Sequence, residues 1–292
     1  MKIILKIFFI IIESINKTLF SFKWLLLQIK NENFKNHFSN ITVGANQSIA
    51  ILGNGPSLNK DIEKLNKKGI DNYIAVNDFI SSTLFNTVKP KYYILADPAY
   101  FDPNINNKNI EETLSLLCEI DYELFLFIPF TYFKIFSKNN PISISNKNLI
   151  VIPFHTNEYK GFECVRFYLY KAGLSMPKVQ NVIIPAIFNS INMGYKSVYL
   201  LGVDHSWITD LRVDKNNNVC TIVRRFYDNN PDNTLTPFLK ITKEPYKMHE
   251  ILTDLSYTFK GYHILEKYSK TQKCKIYNLT IDSFIDAFEK KI

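Results

Sequence analysis

The chain is 292 residues long, 46% apolar and 14% aromatic, which is enough to bury one large core and excludes a disordered chain. Its formal charge of +8 suits an anionic partner such as a nucleotide sugar or a lipid headgroup surface. The lysines are spread thinly among asparagines and isoleucines, which argues against a nucleic-acid surface. Cys118, Cys164, Cys220 and Cys274 lack paired spacing, so neither a CxxC metal site nor a disulfide framework is recognisable, and a reducing cytoplasm fits best.

The first predicted element is N-terminal. Residues 1–12 are nearly all apolar apart from Lys2 and Lys6; after Glu13 a second apolar stretch covers 19–29, punctuated by Lys17, Lys23 and Lys30. The first run falls short of the ~20 apolar residues a bilayer span needs, and no small-residue cleavage site follows it. The pattern predicts an amphipathic helical segment within 1–45, peripheral at the cytoplasmic face of the membrane with its lysines snorkelling to headgroups. Packing on the domain, or on a second copy in a homo-oligomer, is the alternative.

Residues 46–292 alternate short apolar runs with helical stretches. The runs IAIL (49–52), YIAV (73–76), YYIL (92–95), LFLFI (124–128), LIVI (149–152), SVYLL (197–201) and KIYNL (275–279) predict an α/β, Rossmann-like fold, a mostly parallel sheet with helices on both faces. The first run breaks into Gly53-Asn54-Gly55-Pro56-Ser57. The glycines can adopt φ > 0 and let a phosphate or sugar approach the backbone. Asn54 offers a donor and an acceptor, and Ser57 is a candidate N-cap for a helix over 58–65. The loop lacks the Lys-[Ser/Thr] ending of a P-loop and the third glycine of the dinucleotide motif, which argues against ATP and NAD. An ordinary strand-to-helix turn is the plain alternative. The polar stretch about 208–247 predicts an insertion over the sheet, of the kind that forms an active-site lid.

Polar residues end several strands: Asn54, then Asn77 and Asp78, then Asp97, then Asp204, His205 and Ser206. Each alone could be a turn residue or cap. In an open α/β sheet the carboxyl ends of the strands line the ligand crevice, so together they predict one site, with Trp207 and Tyr100 placed to stack on a base or sugar ring. His249 leads a helical repeat through Ile251, Leu252, Leu255, Phe259, Tyr262 and Leu265; imidazole is suited to deprotonating an attacking hydroxyl. His205 is the competing histidine, whereas His37, His155 and His263 read as surface or capping residues. No Asp-x-Asp, Gly-x-Ser-x-Gly or zinc-ligand spacing occurs, so no metal is expected.

GNGPSL (53–58), MGYKSVYLLGVDHSW (193–207) and the helix led by His249, followed by LEKYSKTQKCKIYNLTIDSFIDAF (265–288), resemble the bacterial sialyltransferases of glycosyltransferase family 42 and the related MptE-like domain. The resemblance spans about residues 48–288, anchored at the two ends and in the middle, and leaves the insertion and residues 102–180 unmatched. It implies a GT-A-like variant fold and metal-independent, inverting transfer of sialic acid or a related nonulosonate. On the same resemblance the expected donor is a CMP-sugar with no other cofactor, and the expected acceptor a surface glycan or glycolipid of lipopolysaccharide or capsule. By the same resemblance Asn54 and Asn77 hold the nucleotide and its phosphate, and Asp97 stands where the family has an asparagine near the donor. Asp204-His205-Ser206 replaces a segment whose aromatic hydroxyl holds the departing phosphate, leaving Tyr227 or Tyr246 to supply that contact. Asn181 is the nearest polar candidate for an unrecovered arginine and serine, and His249 matches the general base. Arg212, Arg224, Arg225 and Lys247 are candidates for phosphate binding. Two other readings remain: an MptE-like pyrophosphokinase using Mg-ATP, and an inactive binding module.

Overall fold

The helices are α1 (Lys2–Lys30), α2 (Leu58–Asp61), α3 (Thr83–Val88), α4 (Lys108–Cys118), α5 (Phe130–Asn139), α6 (Glu163–Lys171), α7 (Ile183–Met193), α8 (Trp207–Asp210) and α9 (Met248–Thr271). The strands are β1 (Ser48–Leu52), β2 (Asn72–Val76), β3 (Tyr92–Ile94), β4 (Leu124–Pro129), β5 (Leu149–Phe154), β6 (Ser197–Leu201), β7 (Arg212–Val213), β8 (Val219–Thr221), β9 (Thr236–Pro237), β10 (Lys275–Asn278) and β11 (Glu289–Lys290). The computed structural model describes residues 2–30, 38, 41, 43–44, 47–63, 69–102, 105, 107–139, 146–222, 225–226, 235–240 and 244–291.

Eight strands form one sheet in the order β11-β10-β6-β1-β2-β3-β4-β5, and every pairing in it is parallel. The Rossmann-like α/β class expected from the sequence is the class observed. Strand side chains alternate between faces, and both faces are covered. Ile49, Ile51, Ile74, Val76 and Ile94 pack with Ile184 and Ile187 of α7 and with Tyr262 and Leu265 of α9. Ala50, Leu52, Ala75, Tyr93 and Leu126 pack with Phe79, Phe85 and Leu117 on the other side. Burial on both faces is why these strands read as continuous apolar runs rather than alternating ones. The exposed pair β11 carries no such run.

From β1 the chain steps outward through β2, β3, β4 and β5, then returns to place β6 on the other side of β1. The direction of winding reverses between β1 and β6, and a ligand crevice opens at the carboxyl edge of such a junction. Beyond β6, strands β7, β8 and β9 form a small antiparallel sheet. Phe226 joins this insertion to the main sheet: its N–H donates to the Asn54 carbonyl at 3.2 Å, Asn59 Nδ2 donates to its carbonyl at 2.9 Å, and its ring lies 5.5 Å from Phe79.

The two N-terminal apolar runs belong to the single helix α1, which docks on the domain by one stripe. Trp24 and Phe20 meet Tyr159 edge-on at 5.4 and 5.8 Å, Ser21 Oγ hydrogen-bonds the Tyr159 hydroxyl, and Asn157 Nδ2 donates to Gln28 Oε1 at 2.8 Å. Among the described residues no helix is long and apolar enough to cross a membrane.

Candidate active site

A cavity of about 480 Å³ opens at the carboxyl ends of β1, β2, β3 and β6, closed on one side by residues 179–183 and on another by Thr221, Ile222, Arg225 and Phe238 of the insertion. Its volume lies within the range of small-molecule sites. Twelve predicted residues line it: Gly53, Asn54, Gly55, Asn77, Asp78, Asp97, Asn181, Asp204, His205, Ser206, Trp207 and Arg225.

The glycine loop works differently from the sequence expectation. Neither Gly53 nor Gly55 has positive φ. What requires glycine is the neighbouring loop: a Cβ on Gly53 would lie 2.4 Å from the Gly202 carbonyl oxygen, and one on Gly55 would lie 1.9 Å from Asp204 Oδ2. The loops after β1 and β6 are also tied by Gly53 N–H to Leu201 O and Gly55 N–H to Gly202 O, both at 2.9 Å. The close approach thus serves backbone against backbone.

Ser57 is not an N-cap. It is itself helical, with φ −73 and ψ −15, makes no side-chain cap, and starts a helix of only four residues. Its Oγ instead hydrogen-bonds Asp61 Oδ2 at 2.9 Å and Asp204 Oδ2 at 3.0 Å, which turns it away from the cavity wall. Burial raises the pKa of Asp204, and the charge of Asp61 adds to the shift. The hydrogen bonds from Ser57 act the other way and pull that pKa down.

Four buried polar atoms around the cavity have no hydrogen-bond partner among the described residues: Asn54 Oδ1, Asn77 Oδ1, Asn181 Nδ2 and Thr221 Oγ1. The rest of each asparagine is fixed. Asn54 Nδ2 donates to the Val76 carbonyl at 3.2 Å. Asn77 sits at φ +48, a left-handed conformation asparagine tolerates, and its carbonyl accepts from the Tyr93 hydroxyl. Asn181 Oδ1 accepts from Ile183 N–H at 2.9 Å and Ile184 N–H at 3.3 Å. Sequence reasoning missed Thr221, because nothing in a polar insertion marks which residue folds inward.

The Asn181 contacts assign the protons of the opposite wall. Two backbone donors identify the atom as oxygen, and the Tyr262 hydroxyl donates to it at 3.1 Å. That uses the tyrosine's only proton, so in the His205–Tyr262 hydrogen bond it is His205 Nε2–H that donates. His205 Nδ1 is therefore an acceptor. The ring lies 4.2 Å from that of Trp207, and burial pushes its pKa down from 6.5 to about 3. It is neutral at physiological pH.

A depressed histidine pKa means that the folded state disfavours the proton. The associated stability is complete above pH 6.5 and is lost as pH falls toward about 3, by at most about 1.4 kcal/mol per pH unit. Urea unfolding of wild type and His205→Asn across this window should show the steeper acid loss only in wild type; parallel slopes would mean that the imidazole is not shielded.

Arg225 supplies the positive charge at this site. Its Nη1 lies 3.0 Å from Asp78 Oδ2, while Asp78 Oδ1 accepts from the Tyr100 hydroxyl and from Thr113 Oγ1 at 3.5 Å. Tyr100 is thus buried beneath the site as a ligand of Asp78 and is not a stacking platform. Arg212 turns to the carbonyls of Thr209 and Leu211, and Lys247 is absent from the cavity wall. Arg224, Tyr227 and His37 lie outside the described residues.

His249 and Tyr246 do not join the strand-end residues. Both line a separate, more open recess with Lys178, Lys240, Glu250, Thr253, Asp254 and Tyr257. Tyr246 donates to Asp254 Oδ2 at 3.3 Å, and His249 is an exposed residue in the first turn of α9. The sequence spacing missed this because the insertion delivers the start of α9 to the flank of the crevice. The recess and the cavity meet where Gln180 Nε2, on the cavity wall, donates to Asp254 Oδ1 at 2.6 Å.

No protein-family model matches the chain and no curated protein matches it. Among solved structures it is similar to a mammalian sialyltransferase at 12% identity and a TM-score of 0.41, over 90% of this chain and 84% of that one. It is also similar to a mammalian sialyltransferase in complex with Gal-beta-1-3GalNAc-ortho-nitrophenol, at 11% identity and a TM-score of 0.39, over 90% and 85% of the two chains. At such distances the functional reading rests on the residues of the site itself.

Proposed function

We propose that the protein is a metal-independent, inverting glycosyltransferase that moves sialic acid or a related nonulosonate from a CMP-linked donor to a surface glycan or glycolipid. The observation that carries this reading is that Asn54, Asn77, Asn181 and Thr221 line one cavity that also holds a guanidinium, each with a buried side-chain polar atom that is unpartnered among the described residues. Each such atom costs about 1–3 kcal/mol if nothing satisfies it. Neutral donors and acceptors in this number suit the hydroxyls and base edge of a nucleoside sugar, and a guanidinium that Asp78 holds by Nη1 suits a monophosphate.

In this reading Arg225 steadies the charge that develops on the departing CMP phosphate, as preorganised donors do in a dry site. Trp207 offers a ring face to the base or sugar. The acceptor lies across the recess, and His249 takes the proton of its attacking hydroxyl. With CMP-sialic acid and an oligosaccharide acceptor, the protein should release CMP and form the sialylated product in EDTA. Turnover only with Mg-ATP would instead identify a pyrophosphokinase. A folded protein whose melting temperature ignores CMP and CMP-sugars would be a binding module of another kind.

A further inference from the structure

Helix α1 has two different faces. Toward the domain, Lys17, Phe20, Ser21, Trp24 and Gln28 recur every three or four residues and are the positions at which the helix loses exposure. Turned away from it by the helical period lie Phe8, Ile12, Ile15, Leu19, Phe22, Leu26 and Ile29, each 38–63% exposed. Phe9, Ile11, Leu25 and Leu27 are exposed as well and make the apolar arc much wider than the narrow seam that joins two coiled helices. The helix carries five lysines against one glutamate, and that glutamate, Glu13, is paired with Lys17 at 2.6 Å. Two such helices laid together would repel one another, whereas an anionic bilayer meets both the charge and the width. Lys23 is exposed beside Leu19 and Leu26 on this face, and its stem is long enough to bring its ammonium to the lipid headgroups.

We propose that α1 is an interfacial mount, lying in the plane of an anionic membrane surface with its outward face at the boundary of headgroups and acyl chains and its inward face fixed to the domain at Tyr159. The dock sets the orientation. Asn157 and Tyr159 follow β5, so they stand at the same carboxyl edge of the parallel sheet as the cavity. The Asn157 carbonyl accepts from Met176 N–H at 3.0 Å and from Ser175 Oγ at 2.8 Å, just ahead of the cavity wall at 179–183. The mount therefore holds the cavity-bearing edge near the bilayer; that this favours a lipid-linked acceptor rests on the transferase reading, while membrane binding itself does not.

The test is sedimentation of the full chain with vesicles of phosphatidylcholine, with and without phosphatidylglycerol, in the absence of nucleotide. Wild type should pellet with the anionic vesicles and be released by salt. Ile15→Glu/Phe22→Glu should weaken binding about tenfold or more at an unchanged melting temperature, and the uncharged Phe22→Gln should weaken it less. Wild type remaining in the supernatant, or both variants binding as wild type does, would overturn the proposal. So would a concentration-dependent dimer that these substitutions dissolve, since a second copy would then cover the face. CMP binding, measured on the same samples, reports separately on the cavity.

Discussion

Arg225→Ala should lower affinity for CMP by about 10- to 100-fold, the loss of one or two charge-assisted hydrogen bonds to phosphate. Calorimetric titration reads this directly. The same change leaves Asp78 beneath the site without its cation. Because both side chains keep some solvent, at 31% and 13% exposure, the stability cost is set below that of a fully buried pair, at about 1–2 kcal/mol. Arg225→Lys keeps the charge and loses the planar fork, so it should recover most of the stability and only part of the affinity. Unchanged CMP affinity in Arg225→Ala would remove this residue from the phosphate site.

Gly53→Ala should destabilise the fold by about 1–3 kcal/mol and abolish nucleotide binding. Its new Cβ meets the Gly202 carbonyl oxygen at 2.4 Å, an atom of the backbone that cannot turn aside. The loops after β1 and β6 would have to separate, and both carry cavity residues. Gly55→Ala meets the Asp204 carboxylate at 1.9 Å and the same Gly202 carbonyl oxygen at 2.6 Å, so rotation of Asp204 alone does not relieve it, and it should cost stability as Gly53→Ala does. Urea unfolding reads both, and a wild-type midpoint for Gly53→Ala would show that the loops have slack.

The pattern of what the sequence disclosed follows from how local each feature is. The apolar strand runs were legible because burial on both faces of a parallel sheet leaves no polar positions within them. The strand-end residues Asn54, Asn77, Asp97 and Asp204 through Trp207 were legible because a parallel sheet delivers all its carboxyl ends to one edge. Features set by contact across the chain were misread. Gly53 and Gly55 answer to Gly202 and Asp204 rather than to their own φ. Ser57 answers to two carboxylates rather than to its helix. Tyr100 is claimed by Asp78, and His249 and Tyr246 are carried into the recess by the path of the insertion. The proton arrangement along His205, Tyr262 and Asn181 could not be read from sequence, because it depends on which atom two backbone donors select.

The most direct test of the central claim is a structure of the protein in complex with CMP. CMP should lie in the cavity between β1 and β6, with its phosphate against Arg225 and its polar edges on Asn54, Asn77, Asn181 and Thr221. CMP bound in the recess beside His249, or a cavity that stays empty at saturating nucleotide, would contradict it.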